Sequence, residues 1–117
     1  IYDNKKVYKD FLPMNKFSEI IFKLIKKNSY GLYNVSLGQK VFLKDLINWL
    51  NFYNSKSAKY IDLPTKAYRD CFYLNNSKLL REINIKITLE DLKKYCKTFS
   101  KKLFVKKWKK KLLWYLE

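Results

Sequence analysis

The sequence predicts an all-α (mostly) fold: a single compact bundle of five to six helices, with a short β-ribbon near residues 83–88 as the one β option. Three observations carry this expectation. Apolar residues recur at intervals of three and four along most of the 117 residues, the spacing that lines one face of a helix. Apolar residues make up 48% of the chain and aromatics 18%, which is core-forming material rather than the composition of a disordered chain. Only two glycines and two prolines punctuate it. Residues 1–117 are one domain's worth. The start, "IYDNKKVYKDFLPMN", does not open on Met and has no continuous apolar core of a signal peptide. The chain is therefore read as a single helical domain cut from a larger protein.

The first helix is expected from about Asn15 to Lys27. Phe17, Ile21, Leu24 and Ile25 form its apolar stripe, Asn15 its N-cap, and Glu19 complements the positive end of its dipole. "NSYGLYNVSLGQK" holds both glycines and reads as a loop. A second helix follows from Phe42 to Tyr53, with Leu43, Leu46, Ile47 and Leu50 as its stripe, widened by Trp49 and Phe52. Pro64 and Thr65 open a third through Ala67, Tyr68, Cys71, Phe72 and Leu74, broken by "NNS" at 75–77 before Lys78–Ile83. "INIKIT" alternates apolar and polar residues and admits a short strand. Thr88 and Asp91 make a capping box for a fourth helix carrying Leu89, Leu92, Tyr95, Cys96 and Phe99. A fifth is expected after Ser100, with Val105, Trp108, Leu112 and Tyr115 or Leu116 on one side.

The composition excludes several kinds of chemistry. There is no histidine, so Ser–His and Cys–His nucleophiles and His-ligated zinc cannot be built from this chain. Gly31 and Gly38 cannot make a glycine-rich phosphate loop. The acids are scattered, and Glu90–Asp91 fits a helix start. No catalytic residue, metal or cofactor is read from the sequence, and the expectation is that the chain is not an enzyme. Cys71 and Cys96 are expected as two buried thiols of an intracellular protein, although a disulfide between them is open. No apolar run reaches the 18 residues a membrane span needs.

Charge is the strongest signal. Twenty-six Lys and Arg face ten acids, for a net +16, and only Arg69 and Arg81 are arginine. Such a balance attracts polyanions. Abundant Lys, Asn, Ile, Tyr and Phe also point to AT-rich coding, so part of the lysine excess is compositional. Between Lys93 and Lys111 stand ten lysines and no acid. A merely solvated helix face mixes signs, because like charges one turn apart repel. The spacing therefore nominates Lys101, Lys102, Lys106, Lys109 and Lys110 as phosphate contacts, with Lys78, Arg81, Lys93 and Lys97 as secondary ones. Tyr30 and Tyr33 in the glycine loop are the freer aromatics for stacking on bases.

The order of elements resembles the AT-rich interaction domain (ARID/BRIGHT) family. Its first-helix spacing is matched by Phe17, Ile21, Leu24 and Ile25, and its Leu-Gly before a basic residue by Leu37, Gly38 and Lys40. Its second helix is matched by Val41, Leu43, Leu46, Ile47 and Leu50, and its closing basic helix by Val105, Lys106, Lys107, Leu113 and Glu117. Where that family has Asp, Gly-Gly and Trp, this chain has Phe42, Asn54-Ser55 and Tyr68, and "INIKITLEDLKKYCK" stands as an insertion. The resemblance implies a helix-turn-helix-like part in the major groove. It places Tyr33, Asn34, Gln39 and Lys40 on the backbone, and Lys78, Arg81 and the lysines before the last helix nearest the bases.

Together these readings point to a nuclear DNA-binding domain of a chromatin or transcription protein, held to duplex mainly through phosphates, with an AT preference. RNA is the second nucleic-acid partner the charge allows. Two other readings stand beside it. One is a helical protein-interaction module with compositional lysines, whose exposed aromatics, such as Trp49, Phe52 and Trp114, form a groove for an acidic amphipathic peptide. The other is a winged-helix domain of a replication protein, with "INIKIT" as a wing strand.

Overall fold

The computed structural model describes residues 7–53 and 71–116; within the last helix, side chains are described to Leu103 and again over 110–113. The described chain is mostly helical with one small antiparallel ribbon. In order it runs β1 (Tyr8–Lys9), α1 (Met14–Lys26), β2 (Val41–Phe42), α2 (Leu43–Leu50), α3 (Ser77–Glu82) and α4 (Leu89–Leu116).

α1 forms close to where its spacing places it, but it starts differently. Pro13, extended and buried, takes the N-cap position, and its carbonyl accepts the N–H groups of Lys16 and Phe17. Asn15 is already inside the helix, where its Oδ1 accepts the next residue's N–H. The exit is a Schellman turn. Asn28, at φ 56°, donates to the Ile25 carbonyl, and Ser29 donates to that of Leu24. Asn is the residue that tolerates this left-handed position best after Gly. Glu19, one turn in, pairs with Lys16 at 3.6 Å and Lys23 at 3.4 Å.

The face α1 buries only partly overlaps the expected one, sharing Leu24 with it. Ile20 is fully buried and packs with Leu24, whereas Phe17 and Ile25 of the expected stripe are exposed. The apolar sector of α1 is wider than one contact, and the tertiary neighbours select its Ile20 edge.

Two hydrophobic clusters make the core. One joins Ile20, Leu79 and Ile83, with Leu12, Leu24, Tyr33, Val35, Ile85 and Ile87 around them. The other joins Leu37, Val41, Leu92 and Cys96, with Phe11, Leu46, Trp49 and Ile87. Ile87 touches both. Truncating a side chain as buried as Ile20 or Leu79 to Ala would cost about 2–5 kcal/mol.

"INIKIT" takes part in no strand, and the expected ribbon at 83–88 does not form. Its alternation has another cause: Ile83, Ile85 and Ile87 pack inward on the two clusters while Asn84 and Lys86 stay exposed. The winged-helix reading loses its wing there. The ribbon pairs Tyr8 with Phe42 and Lys9 with Val41 instead, with the Tyr8 and Phe42 rings edge to face at 5.8 Å. Strands of two residues are too short to show alternation.

α2 ends at Leu50 rather than Tyr53. Residues 71–76 are not helical, so the third expected helix does not extend through Cys71, Phe72 and Leu74; its proposed opening lies outside the described residues. The fourth and fifth expected helices are one helix of 28 residues, about 42 Å long. Ser100 does not break it. The residue is buried against α2, and its Oγ accepts the Tyr53 N–H at 3.2 Å, supplying a partner beyond the end of α2. The start of α4 is as expected: Asp91 Oδ2 accepts from the Thr88 N–H at 2.9 Å, and the Asp91 N–H donates to Thr88 Oγ1 at 3.2 Å.

Candidate nucleic-acid interface

α4 is the element that gathers the lysines. Leu92, Cys96 and Ser100 are buried on one side, spaced by four. That leaves Lys94, Thr98, Lys101 and Lys102 exposed, with Lys93 and Lys97 half-buried beside them. Two open clefts flank this ridge. One, of about 530 Å³, is lined by Tyr53, Glu90, Lys93, Lys94, Lys97, Thr98 and Lys101. The other, of about 450 Å³, lies against the start of α1; Asn15 and Lys16 meet Asp91, Lys94, Tyr95, Thr98, Phe99 and Lys102 there. Lys94 and Thr98 border both. The charge is concentrated because α4 stacks lysines four and eight residues apart, while α1 contributes Lys16 from outside the helix.

The expected contacts divide accordingly. Lys93, Lys97, Lys101 and Lys102 come together around the clefts. Lys110 is exposed farther along α4, and the side chains of Lys106 and Lys109 lie outside the described ones. Lys40, Lys78 and Arg81 line neither cleft. Lys40 sits over the Tyr8 ring, 4.7 Å from its centroid. Lys78 donates to the Leu32 carbonyl at 2.8 Å and covers the Tyr33 ring at 4.7 Å, tying α3 to the glycine loop. Its charge serves the fold. Lys97 has a double position, at the cleft and 3.9 Å above the Phe52 ring.

Two cleft lysines were missed from the sequence. Lys94 carried a signal, since it stands eight residues before Lys102 and therefore on the same broad side of the helix. Lys16 carried none, because only the packing of α1 beside α4 brings it there. Of the loop residues, Tyr30 is exposed, whereas Tyr33 is half-buried against the Ile20 cluster. Removal from water, then the charge of Glu82, raises the Tyr33 phenol above its ordinary 10.0. Asn34 is exposed, and its Nδ2 donates to the Asn75 carbonyl at 2.9 Å.

Of the three aromatics expected to form a groove, Trp49 packs on the Leu37 cluster and Phe52 carries Lys97, while the side chain of Trp114 lies outside the described ones. Cys96 is buried in that cluster and burial pushes its thiol pKa up, while Cys71 is half-buried rather than buried. None of the described helices is long and apolar enough to cross a membrane. No protein-family model, curated protein or solved structure matches this chain.

Proposed function

We propose that this chain is a DNA-binding domain that holds duplex mainly through its phosphates, with α4 as the contacting helix, inside a nuclear chromatin or transcription protein. The observation that carries the reading is the grouping of Lys93, Lys94, Lys97, Lys101 and Lys102 with Lys16 along two clefts on either side of one ridge. An α-helix is about 10–12 Å across with its side chains, and the major groove of B-DNA is about 12 Å wide. A helix lying in it turns one flank of lysines toward each phosphate wall. Lysine heads on long stems fix position without reading bases, so sequence preference would be modest. The ARID resemblance favours AT-rich sites.

Six neutralised phosphates give a log–log salt slope of about −5. The test is fluorescence anisotropy with a labelled AT-rich duplex across a salt series, beside a GC-rich competitor. Lys94→Glu, Lys101→Glu and Lys102→Glu together, all at exposed positions, are expected to flatten the slope by about three units. An unchanged slope and affinity in that variant would remove the reading.

A further inference from the structure

α1 presents more apolar surface than the core takes. Met14, Phe17, Ile21 and Ile25 follow one another at three and four residues, with Phe22 beside them. Ile20 and Leu24, on the neighbouring strip, supply the core contact. Most of this surface stays in water: Met14 is 62% exposed, Phe17 42%, Phe22 66% and Ile25 70%, with Ile21 half-buried between them. Scattered apolar residues are ordinary on a surface, but a contiguous row over three helical turns marks an interaction face. From Met14 to Ile25 the row is about 16 Å long, the reach of three turns of a partner helix.

Charge says which partner fits. On α1 and the residue after it, Lys16 and Lys23 pair with Glu19 and Lys27 pairs with Glu82, which leaves Lys26 as the lysine there with no ion pair among the described residues. Lys26 follows Phe22 by one turn at the far end of the row. At its near end, Lys94 and Lys102 share a cleft with Asn15 and Lys16. A second copy would bring +16 against +16. An acidic amphipathic helix would seat its apolar stripe on the row and set its carboxylates toward the lysines at both ends.

We propose that the outer face of α1 docks an acidic amphipathic helix of a partner protein. This does not require the DNA reading to hold, although Lys94 and Lys102 take part in both. The probe is a fluorescent three-heptad peptide with Leu at helical spacing and Glu elsewhere, titrated into the full 117-residue chain; a scrambled peptide of the same composition is the control. The patterned peptide is expected to bind at least about tenfold more tightly than the scrambled one, and Phe22→Ser with Ile25→Ser to erase that advantage. Both positions are two-thirds exposed, so the double variant should keep its far-UV circular dichroism and its duplex titration. Equal binding of the two peptides, or an advantage that survives the double variant, would overturn the proposal. So would self-association or capture on anionic vesicles that the double variant abolishes while the peptide shows no advantage.

Discussion

Gly38 lies against the side chain of Asn76 so closely that a Cβ at residue 38 would stand 2.5 Å from Asn76 Oδ1. Asn76 is buried and cannot retreat without loss, since its Nδ2 donates to the Ser36 carbonyl at 3.0 Å. Gly38 also sits at φ +81°, a region that side chains disfavour. Gly38→Ala is expected to lower stability by about 2–4 kcal/mol, adding backbone strain to overpacking. Urea unfolding measures it, and a shift under about 0.5 kcal/mol would contradict the contact.

The same turn is held from its other side by Asp10. Its carboxylate accepts the N–H groups of Leu37 at 2.8 Å, Gly38 at 3.0 Å and Leu74 at 3.2 Å. One side chain after β1 thus fixes the loop before α2 and the segment before α3. Asp10→Ala strands three backbone donors and should cost about 2–4 kcal/mol. Faster hydrogen exchange at Leu37 and Gly38 would localise the loss.

Acid should weaken the start of α4. The Thr88 backbone N–H, more than any other group, holds the Asp91 carboxyl below its ordinary 3.8. The Ser29 hydroxyl, donating at 2.7 Å, acts first in holding Glu82 below 4.5. A carboxyl depressed in the folded state stabilises fully above its unfolded value, and that contribution fades as pH falls through the lower folded value. Asp91→Asn is therefore expected to cost about 1 kcal/mol or less at neutral pH and to flatten the fall in stability below about pH 4. A variant that runs parallel to the parent from pH 7 to pH 2 would count against the capping box.

Lys78 tests whether charge engaged within the fold also counts toward the proposed duplex binding. Because its ammonium is engaged by the Leu32 carbonyl and the Tyr33 ring, Lys78→Met should lower stability by about 1 kcal/mol. The salt slope of duplex binding should stay within about half a unit of the parent. A slope flattened by a full unit would return Lys78 to the interface.

Cys96 offers a probe of the core. Packed with Leu37, Val41 and Leu92 and with its thiol pKa raised by burial, it should react with a thiol reagent only when the chain opens. Its labelling rate should rise with urea in step with global unfolding. Labelling at the rate of an exposed thiol in native buffer would mean that this cluster does not close.

What the sequence determined by itself lies within a few residues along the chain. The helical period placed α1 and α2 to within a few residues, and the "NNS" break placed the start of α3. Thr88 and Asp91 marked the start of α4 because a capping box is complete within one turn. The run of lysines announced a basic face for the same reason. Tertiary structure decided what depends on distant partners. It chose Ile20 over Phe17 and Ile25, buried Ser100 within a continuous α4 where its hydroxyl accepts the Tyr53 N–H, and let Ile83, Ile85 and Ile87 pack inward without a strand. It also engaged the exposed Lys78 with the Leu32 carbonyl and the Tyr33 ring, and brought Lys16 to Lys94 and Lys102. The physical reason is that periodicity fixes which residues share a helix face, whereas burial and pairing are set by neighbours tens of residues away, whose positions no local spacing records.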